Sequence, residues 1–135
     1  MKFDYIKTGL WHRPIVPVTL EFQGREIRYL ALIDSGADFN IFHKDIADIL
    51  KIDLSKGRKV PFQGISGTES NGVFAEINLD LKGIMIPKTL VLFSDSISQD
   101  GYGILGQQGF FSNFKVTFDY ISKQIEVKEN KKNKN

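Results

Sequence analysis

The sequence predicts an all-β fold, on three observations. Short apolar runs recur along its 135 residues, separated by Gly, Pro and Asn turn signals. The apolar residues are rich in Ile and Val, with 11 Phe against 1 Trp, types that suit a pleated, half-buried surface. Strands do not alternate with long helical patterns, so the rhythm of a parallel α/β sheet is missing. A chain of this length is expected to form one domain that buries roughly two-thirds of its unfolded surface.

The elements follow in order. Ile15 to Phe22 (IVPVTLEF) reads as a strand that alternates after Val16, with Pro17 marking an edge position. Gln23-Gly24 turns the chain, and Arg25 to Ile33 (REIRYLALI) returns, polar at first and continuously apolar at its end. A strand apolar on both faces is entering a core, and this one delivers Asp34 there. Residues 38–42 read as a short extended piece. His43 to Lys51 (HKDIADILK) spaces Ile46, Ile49 and Leu50 as a helix of about two turns. After a polar connector at Lys56 to Lys59, the stretch 60–74 (VPFQGISGTESNGVF) sets three glycines between apolar ends, a long Gly-rich hairpin.

Val73 to Leu81 (VFAEINLDL) alternates cleanly and predicts a half-buried strand. Lys82-Gly83 turns the chain into further strand, Ile84 to Ile86 and Lys88 to Phe93, followed by a loop over 94–102. Gly103-Ile104-Leu105-Gly106 is a second apolar run ending in Gly. Residues 107–111 suit a single helical turn, and Lys115 to Asp119 with Gln124 to Val127 form a closing hairpin.

Composition narrows the function classes. Net charge is +2, but the last eight residues (KENKKNKN) hold four Lys and one Glu, so the remainder is slightly acidic. A nucleic-acid surface needs a clustered basic face, and the folded part offers none. The expected layout is a domain over 1–127 and a disordered basic tail over 128–135. With no cysteine, thiol catalysis, disulfides and Cys-ligated metals are excluded. His12 and His43 lack the spacing of a metal pair, so no metal and no cofactor are expected. No stretch approaches the ~18 apolar residues of a membrane span, and the first residues lack a signal core, so a soluble cytoplasmic protein with no membrane partner is expected.

The chemistry concentrates at Ala31-Leu32-Ile33-Asp34-Ser35-Gly36-Ala37-Asp38. A carboxylate at the tip of a buried strand is costly unless hydrogen-bonded or paired. Ser35 and the Gly36 amide are the nearby groups able to satisfy Asp34. Gly36 serves either a close approach or a positive φ.

This block, with Gly103-Ile104-Leu105-Gly106 some seventy residues later, resembles the retroviral-type (retropepsin-like) aspartic proteases. The glycine-rich stretch 64–72 lies where that family keeps its flap, and the hairpin around 118–125 is similar to its closing element. The likeness spans about residues 15–127. It implies a closed, barrel-like protomer with a flap hairpin and one or two short helices. It also implies an aspartic endopeptidase in which Asp34 from each of two subunits activates a water molecule. Ser35 would tie the two active-site turns together, Gly36 would contact substrate backbone, and Ala37 and Asp38 would line the cleft. Gly64, Ile65, Ser66 and Gly67 would form the flap. Ile104, Leu105 and Gly106 would thread behind the turn and hold it. The partners implied are a second copy, through interdigitated terminal strands, and a peptide or protein substrate in extended conformation.

The residues argue for a dimer independently. Hydrolysis by carboxylates needs two sharing a proton, one to accept a proton from water and one to polarise the carbonyl. The chain has one Asp-Ser-Gly; Asp95 and Asp119 lack the glycine. A two-fold axis supplies the second carboxylate. One departure from the family stands out: Gln107 occupies the place of an Arg that pairs with the acid at position 38. Asp38 is therefore expected either to take another donor, Gln107 or Arg13, or to stay free for substrate. The alternative reading is a catalytically inactive dimerisation or peptide-binding module on the same fold.

Overall fold

A computed structural model of the chain describes residues 1–63, 69–97 and 101–130. Six strands close a barrel: β4 (Ile15–Phe22), β5 (Arg25–Ile33), β10 (Gly103–Leu105), β6 (Asn40–His43), β9 (Ile84–Ser94) and β8 (Glu69–Leu81). The ring shuts where β8 pairs antiparallel with β4 at Thr19, Leu20 and Glu21. β7 (Arg58–Gln63) extends the sheet beyond β8. The all-β expectation holds, as does the barrel-like protomer.

Alternation fills the interior. Val16, Val18 and Leu20 on β4, Ala31 and Ile33 on β5, and Ile77, Leu79 and Leu81 on β8 are all buried. They meet Phe42, Val91, Phe93 and Leu105 in one continuous core. Period-two patterning puts one set of side chains inside and leaves the polar set to water. Pro17 sits opposite Leu30, on a part of β4 where β5 is its only described neighbour. The edge reading is thus right for that half of the strand, and the missing proline N–H breaks no ladder.

β9 runs unbroken through Pro87 because the sheet bulges there. The β8–β9 register slips between Ile77 and Leu79, Lys88 adopts φ +52°, and its N–H donates to the Asn78 side-chain oxygen at 3.3 Å. The Thr89 hydroxyl donates to the Ile86 carbonyl at 2.8 Å. A bulge of this kind absorbs a residue that cannot continue the ladder.

The predicted helix is shorter than expected at both ends. α1 covers Lys44–Ile49, because His43 is its N-cap, accepting the Asp45 N–H at 3.1 Å, and Lys51 turns left-handed at φ +57°. Ile46, Ala47 and Leu50 bury its inner face. A 3-10 turn over Leu54–Lys56 follows, capped by Asp53. The Ser55 hydroxyl and N–H hold the Asp53 carboxyl below its ordinary range.

The residue pattern marked none of the three N-terminal strands, β1 (Lys2–Asp4), β2 (Ile6–Thr8) and β3 (Trp11–Arg13), although the resemblance implied terminal strands. β2 and β3 form a small hairpin. β1 pairs antiparallel with β12 (Gln124–Glu129), which pairs with β11 (Phe114–Asp119). The terminal strands therefore pair with each other inside one chain, and the Met1 ammonium group closes the arrangement on the Val127 carbonyl at 2.8 Å. β12 continues to Glu129, two residues into the stretch read as tail. Phe3, Ile125 and Val127 belong to the same core, together with Phe110 and Phe114, whose rings lie 5.2 Å apart.

Candidate active site

β10 is the element that creates the site. It lies between β5, its parallel partner at Ala31, Leu32 and Ile33, and β6, its antiparallel partner at Ile41. Gly103 lets it in: a Cβ there would fall 2.2 Å from the Phe42 ring. The chain leaving β5 has to pass around the end of β10 before it can return as β6, and that passage is residues 34–39.

Asp34 begins the passage. Its N–H donates to the Leu105 carbonyl at 2.9 Å, extending the β5–β10 ladder by one bond. Its carbonyl accepts the Ala37 N–H at 3.1 Å, and its Oδ1 accepts the Gly36 N–H at 2.9 Å. The glycine serves close approach. Gly36 is not among the positive-φ glycines, and a Cβ there would sit 3.2 Å from the Asp34 Oδ1.

Residues 105–108 carry the rest of the turn. The Gln107 N–H donates to the Ala37 carbonyl at 2.8 Å and the Gln108 N–H to the Asp38 carbonyl at 2.9 Å. The Gln107 side-chain amide donates to the Ser35 carbonyl at 2.7 Å. With the Asp34–Leu105 bond, four hydrogen bonds suspend residues 34–38 from this one segment. Gly106 sits at its centre, where a Cβ would meet the Phe39 carbonyl oxygen at 2.4 Å and that of Ala37 at 2.7 Å. Only glycine allows backbones to approach this closely.

One residue of the site was missed by sequence reasoning. Asn40 is completely buried; its side-chain oxygen accepts the Gly106 N–H at 3.0 Å and its amide donates to the Leu90 carbonyl at 3.4 Å. It links the Gly106 turn to the barrel wall at β9. A signal existed in the sequence: Asn40 has the same parity as buried Phe42 on β6, a polar residue at an inward position.

Neither of the donors expected for Asp38 makes a hydrogen bond to it. Gln107 spends its amide on Ser35, and Arg13 is exposed on β3. Among the described residues, no group donates to the Asp38 carboxylate or to the Asp34 Oδ2, and the Ser35 hydroxyl has no partner. The expected flap residues Gly64, Ile65, Ser66 and Gly67 lie outside the described residues. Among the described residues there is also no group of three His, Asp or Glu able to hold a metal, and no helix long and apolar enough to cross a membrane.

A six-strand barrel with a glycine-edged strand slipped between two others, and one carboxylate hung at the junction, defines the protomer of an aspartic protease. The aspartyl protease family model matches residues 16–108, from β4 through the whole supporting segment, and the chain belongs to that family. Among solved structures, it is similar to a retropepsin-like aspartic protease from Rickettsia conorii. That likeness has a TM-score of 0.67 at 12% identity, covering 94% of this chain and 89% of the other. It is also similar to EIAV protease in complex with the inhibitor HBY-793, with a TM-score of 0.53 at 24% identity over 76% and 88% of the two chains. No curated protein matches the sequence.

Proposed function

We propose that the protein is an aspartic endopeptidase whose active site is completed by a second copy of the chain. One observation carries the reading: Asp34 is fixed by its backbone and by one carboxylate oxygen, while its other oxygen and the neighbouring Ser35 hydroxyl have no partner within the described chain. A lone carboxylate cannot both take a proton from water and give one to a carbonyl. Two Asp34 carboxylates across a two-fold axis can, because like charges at close range share one proton.

In that pair the ionised Asp34 accepts a proton from a bound water as its oxygen attacks the substrate carbonyl carbon. The protonated Asp34 gives its proton to the carbonyl oxygen, forming a tetrahedral diol. In the collapse of the diol one of its hydroxyls gives its proton to the ionised Asp34 as the C–N bond breaks, the protonated Asp34 passes its proton to the departing nitrogen, and the pair again holds one proton. Ser35 is assigned the hydrogen bond that ties the two turns together, and the four bonds to residues 105–108 keep each carboxylate in place through the cycle. An extended substrate suits such a cleft, since it can pair with strand edges through its own backbone.

The test is Asp34→Asn, an isosteric change that keeps an acceptor for the Gly36 N–H. The variant should form the same dimer in sedimentation experiments and cleave no peptide in a mixed-sequence library. Peptidase activity that survives in the purified variant refutes the assignment.

A further inference from the structure

β5 keeps one edge open along its first half. β4 pairs with it from Arg25 to Leu32, but on the opposite side β10 joins only at Ala31, Leu32 and Ile33. Among the described residues, no further backbone group bonds to β5 over 26–30. The Ile33 N–H donates to the Pro14 carbonyl at 2.9 Å, so the odd-numbered residues of β5 turn their backbone groups toward β4. The N–H and C=O of Glu26, Arg28 and Leu30 therefore point out of the open edge. A pocket flanks this edge on each face. Arg28 and Leu30, on one face, line a pocket of about 680 Å³ with Ile6, Pro17 and Tyr102. Ile27 and Tyr29, on the other, line one of about 380 Å³ with Ile46 and Ile49 of α1 and with Asp45. Tyr29 and Gly101 border both, so the two pockets adjoin. Each volume lies within the range of pockets that enclose ligands, roughly 300–1,000 Å³.

We propose that this edge docks an extended segment of another polypeptide, which adds a strand beside β5 and sends consecutive side chains into opposite pockets. Such docking is independent of the protease reading. Unpaired N–H and C=O groups at every second residue are the complement of another strand's backbone. Charge selects the side chains. Asp45 is largely exposed and has no Lys or Arg partner among the described residues. Its neighbour His43 accepts the Asp45 N–H through Nδ1, which requires the neutral ring, so the Asp45 charge stays uncompensated by it. A carboxylate beside an isoleucine-lined pocket suits a Lys or Arg, whose aliphatic stem can lie on Ile27, Ile46 and Ile49. Asp95, which also borders this pocket, is paired with Lys44 at 3.6 Å and adds less. The next residue of the segment turns to the other face, where Ile6, Pro17, Leu30 and Tyr102 favour a large apolar side chain. The charges of Glu26 and Arg28 on the same stretch guard the edge against indiscriminate pairing.

The probe is an acetylated, amidated heptapeptide of Thr with Lys-Leu at its centre, compared with Glu-Leu and Lys-Ser versions. Each is titrated into the full-length Asp34→Asn protein, so that cleavage does not intervene, and followed by backbone amide chemical shifts. The Lys-Leu peptide should shift the amides of Glu26, Arg28 and Leu30. It should bind about tenfold more tightly than the Lys-Ser form, a gain typical of filling an apolar pocket. Over the Glu-Leu form the gain should be about threefold, the scale of an exposed ion pair. Asp45→Asn should abolish the preference for Lys over Glu and leave the shifts at the edge in place. Arg28→Pro removes an N–H that β4 does not use, so the barrel should stay folded while all three peptides bind about fivefold more weakly, the scale of one lost backbone hydrogen bond. Where Arg28→Pro does not fold, the Asp45→Asn comparison decides alone. Equal binding of the Lys-Leu and Glu-Leu peptides, or undiminished binding by a folded Arg28→Pro protein, overturns the docking site. So do shifts confined to residues 35–38, which place the peptide in the Asp34 cleft, and shifts over 26–30 that grow with protein concentration alone, which give the edge to a second copy.

Discussion

The Gly106 N–H donates to the buried side-chain oxygen of Asn40 at 3.0 Å, and through the Asn40 amide this contact reaches the Leu90 carbonyl on β9. Gly106 is the residue after Leu105, whose carbonyl holds the Asp34 N–H. A single interior side chain thus joins the barrel wall to the backbone under the candidate catalytic carboxylate.

Asn40→Ala leaves a buried N–H and a buried C=O without their partner. An unsatisfied buried group costs about 1–3 kcal/mol, and the cavity adds to it, so a loss of at least about 2 kcal/mol is expected. Urea unfolding should show a lower midpoint at unchanged slope. Because the lost bond acts on position and not on substrate contact, kcat should fall more than KM rises. An unchanged midpoint would show that water takes over the two bonds at no cost.

Gly106→Ala tests the close approach itself. The new methyl would lie 2.4 Å from the Phe39 carbonyl oxygen, and both neighbours are backbone that cannot swing aside. Forcing extra volume into a packed site costs about 1–3 kcal/mol. The turn has to rise off its support, so peptide cleavage should vanish even where circular dichroism still reports a folded barrel. Full activity in a folded Gly106→Ala protein would mean that residues 105–108 do not position Asp34.

Gln107→Ala removes only the 2.7 Å bond from the side-chain amide to the Ser35 carbonyl. The site is exposed, so the stability change should stay near 0.5–1.5 kcal/mol. The turn keeps its three backbone bonds to residues 105–108. Cleavage should fall by a small factor, and the conservative Gln107→Glu variant, which cannot donate, should behave like Ala. A larger effect of Glu than of Ala points to charge near the site as the cause instead of the missing donor.

What was legible in the sequence is what local chemistry writes strongly. The apolar run into Asp34-Ser35-Gly36 and the run into Gly106 are abrupt enough to read alone, and the alternation from Ile77 to Leu81 fixes a buried face. The insertion of β10 between β5 and β6 is not written locally. Three residues carry no periodicity, and the pairing joins positions about seventy apart. β1, β2 and β3 were missed for the same reason, being three residues each. Gln107 could be singled out as the place of a missing Arg, but its actual target, a carbonyl on the turn, depends on where β10 ends.

The closing hairpin offers a pH test away from the site. The Asp119 carboxylate accepts the Ser122 N–H at 3.2 Å, and that bond holds its pKa below the ordinary range, helped by the Ser122 hydroxyl and by Lys123. The turn is tied back to the N-terminal segment, since the Tyr5 N–H donates to the Lys123 carbonyl at 2.8 Å and the Tyr5 and Tyr120 rings meet edge to face. A carboxyl whose pKa is depressed by folding stabilises the native state above its unfolded pKa, and that contribution is lost as pH falls through the folded value. Asp119→Asn should therefore be less stable than wild type at pH 7, and the gap should close as the solution is acidified below the usual Asp range. Asp53, held low by Ser55, contributes to the same acid limb, so the variant retains part of the slope. Thermal unfolding of both proteins from neutral to strongly acid pH reads the difference directly. A gap of constant size across that range would assign the effect to turn geometry and not to the charge on Asp119.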